Sequence, residues 1–309
     1  MMKTVLITGA TSGLGLEMAR LYHQQGARLV LIGRRPLAQL QEDLFTEERY
    51  CQVDLGLPEA AEVIKNWLDE RAIETVDVLI HNAAVGYYGT VADQPTPSMA
   101  QLIQVNVKAP IAVTHALLPR VTAVRGQLVF VGSVASVLPT AEYVTYTASK
   151  AALDGFARSL RIELGEQASV LVLHPGATHT GMHEKIGISR EKLNWEKFPA
   201  AAVVAQHMVA VIERGKGGRV ALGLGNKLLR RVGLTAGAIV ERMMRLAARP
   251  ERHLAQENSK RPHVVITGVA EGIGKELALR FAWAGFEVTG VDVNVGGALE
   301  TKRQIAQRG

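Results

Sequence analysis

Short apolar runs alternate with longer amphipathic stretches through most of the chain. Residues 3–8, 28–32, 77–80, 127–131 and 170–173 are rich in Val, Ile and Leu, with little polar alternation, and 50–53 is a shorter β-rich run. A strand wetted on one face would alternate; an unbroken apolar run predicts a strand covered on both faces. The segments between them space their apolar residues as helices do, so each strand is expected to return through a helix to a parallel neighbour. A seventh strand is expected at residues 219–222, after a helix over residues 202–214.

The expected fold class is therefore α/β, a doubly wound parallel sheet of about seven strands, Rossmann-like, with helices on both faces. Beyond it, residues 226–249 set Leu228, Leu229, Val232, Ile239, Val240, Met243 and Leu246 against Arg230, Arg231, Arg242 and Arg245. This predicts a basic amphipathic helix or helix pair packed on the same domain, a sister subunit or the second repeat, with an anionic membrane the less expected surface. Residues 250–262 read as a polar linker.

The chain then restarts. HVVITGVAEGIG at residues 263–274 repeats the design of KTVLITGATSGLG at residues 3–15. The expected division is a complete domain over 1–249, a linker over 250–262 and a partial, truncated second repeat over 263–309. Its few elements cannot bury a sheet by themselves, so it is expected to pack on other residues.

Composition narrows the partners. The net charge of +6 comes from 35 basic and 29 acidic residues without a long basic run, so no nucleic-acid partner is expected. Cys51 is the sole cysteine and forms no internal disulfide, and no Cys/His spacing suits a metal. The first apolar run leads at once into glycines, too short for a signal peptide. The segment at 200–212 is broken by Gln206 and His207, short of the ~20 apolar residues of a membrane span. A soluble, cytoplasmic protein without membrane contact is expected, and a homo-oligomer.

The first chemical signal is Thr8-Gly9-Ala10-Thr11-Ser12-Gly13-Leu14-Gly15, between the first strand and a helix expected over residues 16–25. Glycines allow a tight turn and close approach of a pyrophosphate, and a helix N-terminus offers free N–H groups and positive partial charge. Gly9, Thr11, Ser12, Gly13, Leu14 and Gly15 are therefore expected to hold a dinucleotide. The second strand ends in Ile32-Gly33-Arg34-Arg35, with no acid to accept from a ribose 2′-hydroxyl. Arg34 and Arg35 suit a 2′-phosphate, so NADP(H) is the expected cofactor. In the second repeat Asp292 stands at the strand end, which favours NAD(H) there if that fragment belongs to a working domain.

The second signal is Tyr146-Thr147-Ala148-Ser149-Lys150, opening a helix expected to run to about residue 166. At this spacing the phenol and the ammonium share one helix face. An ammonium beside a phenol favours its anion and brings proton exchange nearer to neutral pH.

These residues resemble the short-chain dehydrogenase/reductase family. The resemblance rests on TGxxxGxG from Thr8, YxxxK at Tyr146 and Lys150, Ser133 thirteen residues before that tyrosine, and Asn106 in Gln104-Val105-Asn106-Val107. It covers residues 1 to about 225. It implies that Ser133 steadies a substrate oxygen, Tyr146 gives or takes its proton, Lys150 also binds the nicotinamide ribose, and Asn106 holds a proton-relaying water. Asp54 with Leu55 resembles the adenine contact, and Asn82-Ala83 resembles the family's segment after the fourth strand, although His81 and Ala84 depart from its usual Asn and Gly. Pro175, Gly176, Thr178 and Thr180 resemble the loop around the carboxamide.

The implied activity is reduction of a ketone or other carbonyl to an alcohol, or the reverse, by hydride transfer with Tyr146 as general acid/base. An apolar or lipid-like small molecule would suit residues 181–199, which offer Met182, His183, Ile186, Ile188, Trp195 and Phe198. The competing expectation is a catalytically idle NADP(H) sensor or scaffold.

Overall fold

The TVLIT run folds as the first strand because both of its faces meet apolar layers. Val5 and Ile7 join one core and Leu6 the other, and all three are fully buried. The computed structural model describes residues 2–186, 188, 194–247 and 262–307.

The first half of the main sheet comprises β1 (Thr4–Thr8), α1 (Gly13–Gln24), β2 (Arg28–Gly33), β3 (Tyr50–Gln52), α2 (Ala60–Glu70) and β4 (Val78–His81). There follow α3 (Thr96–Ile103), α4 (Ala109–Thr122), β5 (Gln127–Val131), α5 (Val144–Leu164) and β6 (Ser169–His174). Last come α6 (Met182–Lys185), α7 (Ala201–Ile212), β7 (Gly218–Ala221), α8 (Leu224–Thr235) and α9 (Gly237–Ala247). A π-helical stretch, Gln104–Lys108, joins α3 to α4.

The strands lie in the order β3-β2-β1-β4-β5-β6-β7, all parallel. The chain builds outward from β1 to β3, then returns to lay β4 on the other side of β1. That reversal opens a crevice at the carboxyl ends of β1 and β4, where doubly wound sheets bind ligands. One core, with α2, α4 and α5, and another, with α1 and α7, cover the two faces. The doubly wound class and its strand count agree with the apolar pattern.

Two readings of the pattern need correction. The helix expected from residue 16 begins at Gly13, because Gly13 takes φ +55 and leads straight out of the turn. Leu14 and Gly15 thus lie in the first helical turn. On α8 the amphipathic reading is inverted at its centre: Arg230 is 6% exposed, whereas Leu228 is 63% and Leu229 48% exposed. Arg230 turns inward because carboxylate and imidazole partners wait inside the domain, and a paired buried charge overrides the hydrophobic pattern.

The chain separates into two compact units, Met1–Arg249 and Pro250–Gly309. In the second unit β8 (His263–Thr267), α10 (Gly272–Trp283), β9 (Glu287–Val291) and α11 (Val295–Ala306) surround a small core of Ile266, Val269 and Ala278. β8 pairs with β9 from His263↔Glu287 to Thr267↔Val291, as β1 pairs with β2 from Thr4↔Arg28 to Thr8↔Ile32. The linker read at residues 250–262 falls, except for Pro262, outside the described residues. No described helix is long and apolar enough to cross a membrane.

Candidate active site

The glycine turn after β1 is shaped by what lies beneath it. A Cβ on Gly9 would come within 2.8 Å of the Ala83 Cα, and one on Gly15 within 2.3 Å of the Gly9 carbonyl oxygen. Gly9 takes φ +66, a region that favours glycine. The turn is tied across the crevice to the end of β4. Asn82 Nδ2 donates to the Thr8 carbonyl at 3.0 Å and the Gly9 carbonyl at 3.2 Å. The backbone N–H groups of Asn82 and Ala83 donate to Thr8 Oγ1 at 3.0 and 3.1 Å. Asn82 therefore acts beneath the loop.

Above it, Ser12 is extended and its side chain makes no capping bond, so the first N–H groups of α1 keep their capacity for an anion. With three glycines in the turn, its backbone is open to close approach, the shape a pyrophosphate needs.

At the end of β2 the two arginines part company. Arg35 donates through Nη2 to the Thr11 carbonyl, and Tyr50 donates to the Arg35 carbonyl at 2.6 Å. Arg35 thus braces the glycine loop. Arg34 is exposed and, among the described residues, has no hydrogen-bond or ion-pair partner. The fork expected of both residues is a free guanidinium on Arg34 and an engaged one on Arg35. Gly33 is fixed by space, since a Cβ there would meet Thr11 Cγ2 at 2.6 Å and Tyr50 Oη at 2.8 Å. Asp54 accepts from the Gly56 N–H at 2.8 Å, and Leu55 is buried beside it.

Tyr146 and Lys150 are one turn apart on α5, with Lys150 Nζ 5.8 Å from the centre of the Tyr146 ring. Lys150 is 3% exposed and donates to the Val131 carbonyl at 2.8 Å, at the end of β5. Burial lowers its pKa to about 8. Burial likewise pushes the Tyr146 phenol up to about 12, against a hydrogen bond with Ser133 that lowers it, and Tyr143 nearby raises it. Ser133 Oγ also accepts from the Ala135 N–H at 3.1 Å, at the start of a 3-10 turn over Val134–Val137. Phenol and serine hydroxyl share one locus with the ammonium behind them.

Asn106 sits in the π-helical stretch between α3 and α4. Its Oδ1 accepts from the Val85 N–H at 2.9 Å, and its Nδ2 donates to the Val85 carbonyl at 2.9 Å and to Ser149 Oγ at 3.0 Å. Ser149 in turn donates to the Tyr146 carbonyl at 2.7 Å. The Asn106 side chain is fully engaged in joining the segment after β4 to α5. His81, at the departure from the family pattern, stacks on Phe130 at 4.8 Å and pairs with Thr114 at 2.9 Å. Burial lowers its pKa to about 3, which makes it a neutral core residue.

Opposite the glycine loop, Thr180 lies 3.5 Å from where a Gly13 Cβ would stand, and Thr178 donates to the Gly176 carbonyl at 3.0 Å. Pro175 is buried at the end of β6. Met182 and Ile186 pack against Gly86, whose Cβ would meet them at 2.9 and 3.2 Å, and Ile188 is buried. The side chains of His183 and Trp195, and residues 187 and 189–193, lie outside the described residues.

The sequence reading missed a buried polar cluster behind Ser133. Its members are Asp154 on α5, His174 at the end of β6 and Arg230 on α8. The available signal was an aspartate one turn beyond Lys150 on the same helix face. In the second unit, Asp292 accepts from the Ala270 and Asn294 N–H groups, both at 2.8 Å, so its carboxylate already serves the second glycine turn. Gly268 and Gly272 take φ +74 and +59 there.

A family model described as short chain dehydrogenase matches residues 3–191. The chain is 34% identical over 196 residues to dehydrogenase/reductase SDR family member 7B of Rattus norvegicus, covering 58% of each chain. It therefore spans little more than half of that curated relative. A short-chain dehydrogenase from Sphingobium yanoikuyae in complex with NADPH superposes with a TM-score of 0.64 at 25% identity, over 84% of this chain and 100% of that one. A 4-hydroxyisoleucine dehydrogenase complexed with NADH superposes with a TM-score of 0.63 at 21% identity, over 71% of this chain and 96% of that one.

Proposed function

This chain belongs to the short-chain dehydrogenase family, and from that premise we propose that it is an NADP(H)-dependent oxidoreductase that reduces a small-molecule carbonyl to an alcohol, or runs the reverse. The observation that carries the reading is the meeting of the Tyr146 phenol with Ser133 over the buried amine of Lys150. The open backbone at Gly9, Gly13 and Gly15 and the unpartnered Arg34 support a dinucleotide with a 2′-phosphate. NADP(H), when bound, supplies or accepts the hydride.

The protein's own part is to place and protonate the oxygen. A phenol whose pKa lies near 12 is fully protonated at neutral pH, so Tyr146 starts as a proton donor, the form that reduction requires. Ser133 Oγ, beside it, can donate to the same oxygen and share its developing negative charge. Lys150 holds partial positive charge behind the phenol and stabilises the phenolate left after transfer. Asn106 and Ser149 fix the first turn of α5, so that the phenol keeps its aim. The Pro175–Thr180 region faces the glycine loop and supplies the other wall of the cofactor cleft. Buried Ile188, with Met182 and Ile186 against Gly86, favours an apolar substrate.

The test is a panel of ketones, aldehydes and β-keto compounds with NADPH, run on wild type and Tyr146→Phe. Wild-type turnover that falls at least about 100-fold in the variant is expected, the scale of a lost general acid. Unchanged NADPH binding with no Tyr146-dependent turnover on any member would replace the enzyme reading with that of a cofactor sensor.

A further inference from the structure

The polar cluster behind Ser133 is buried. His174 is fully buried, Arg230 is 6% exposed and Asp154 is 7% exposed. Arg230 Nη2 donates to Asp154 Oδ2 at 3.2 Å, and His174 Nε2 lies 3.2 Å from Asp154 Oδ1. Arg219 on β7 approaches Asp154 Oδ2 at 3.6 Å from the solvent side. Arg230 Nη1 also lies 3.1 Å from His174 Nδ1. Burial pushes the Asp154 carboxyl up, but hydrogen bonding and charge from His174, with Arg230 behind, outweigh it and hold it at about 2.

Stability alone does not call for this arrangement. A buried charged cluster can often be exchanged for apolar side chains at no loss, because desolvation consumes most of the attraction. What the cluster adds is direction. Arg230 Nη1 donates to Ser136 Oγ at 3.2 Å, and Ser136 Oγ donates to the Ser133 carbonyl at 2.8 Å. His174 Nδ1 lies 3.2 Å from that same carbonyl, and its ring occupies the space where a Gly132 Cβ would stand, at 2.9 Å. Asp154 continues the row of Tyr146 and Lys150 at four-residue spacing, on one face of α5.

The rest of α8 presses on the same region. A Cβ on Gly233 would come within 2.6 Å of the Val137 carbonyl, and one on Gly176 within 2.4 Å of Asn226 Nδ2. One helix therefore touches the 3-10 turn after Ser133 and the loop after β6.

We infer that Arg230, with Asp154 and His174, is a positioning network through which α8 sets the aim of Ser133 at the substrate oxygen. The inference rests on the reading of Ser133 as a partner of that oxygen. Arg230 touches no reacting atom; it acts through Ser136 and His174.

The test uses the full chain in three forms: Arg230→Met, the double variant Asp154→Leu with Arg230→Met, and Ser136→Ala. Amide hydrogen exchange is followed by mass spectrometry for peptides covering residues 132–138 and, as a control, residues 4–15. At least 10-fold faster exchange in the first region and none in the second is expected for all three, with NADPH affinity within 2-fold of wild type. The double variant removes the carboxylate and the guanidinium together and leaves only the part-exposed Arg219 without its partner, so its thermal stability is expected to return toward wild type while the exchange stays fast. On any carbonyl that the wild type reduces, kcat is expected to fall at least 10-fold with KM for NADPH unchanged. Wild-type exchange at residues 132–138 in the double variant and in Ser136→Ala would overturn the inference. If the wild type reduces nothing, the proposed reaction fails, and the exchange measurement still decides the positioning role. Should Arg230→Met not fold, the other two forms carry the decision.

Discussion

Arg34 and Arg35 are adjacent and equally charged, yet the structure gives them different work. Arg35 is spent on the Thr11 carbonyl, and Arg34 has an unengaged guanidinium. Arg34→Ala is therefore expected to weaken NADPH by about 1.5–3 kcal/mol, the scale of a hydrogen bond to a charged group, and NADH hardly at all. Fluorescence titration with the two cofactors checks this, and equal weakening of both would remove Arg34 from the 2′-phosphate.

Lys150 allows a prediction about pH. Its pKa lies near 8 in the folded apoprotein, against 10.5 for a fully solvated lysine, because burial disfavours the ammonium. Below pH 8 the amine is protonated in both the folded and the unfolded chain, and the fold carries the full burial cost. Between pH 8 and 10.5 the unfolded chain binds more protons, so folding grows more favourable as pH rises. Relative to Lys150→Met, the wild type is expected to gain about 3 kcal/mol across that window, measured by urea denaturation at each pH. No gain would mean that the amine is solvated in solution.

At the scale of elements, the strands were the most legible part of the chain. Parallel strands covered on both faces announce themselves as unbroken Val/Ile/Leu runs, and 127–131 matches β5 end to end. Helix starts were less so, because Gly13 reads as loop yet begins α1. The site was legible where a motif is local, as in the glycine turn and in the Tyr146–Lys150 pair. It was not legible where partners lie far apart. The bond from Arg230 to Asp154 spans 76 residues, and no spacing rule connects them. Nor did the sequence reveal that Asn106 would be saturated by Val85 and Ser149, since those bonds depend on a π-helical stretch. The glycine turn gives this scale its own prediction. A Cβ on Gly15 would stand 2.3 Å from the Gly9 carbonyl oxygen and 2.4 Å from Asn82 Nδ2, so neither loop nor anchor can yield. Gly15→Ala is expected to lower NADPH affinity at least 10-fold, measured by the same titration, and an unchanged affinity would place the pyrophosphate elsewhere.

For the molecule as a whole, the order of the sheet matters more than its strand count. β1 is first in sequence but lies inside the sheet, and its two neighbours are β2 and β4. The Asn82 amide that closes the glycine turn lies 74 residues beyond the Thr8 carbonyl to which it donates. A chain emerging from the ribosome therefore carries its most recognisable motif early but in an unsealed form. Until β4 has left the exit tunnel and docked, the turn lacks its floor, and nucleotide capture has to wait for a residue that no glycine-rich signature contains.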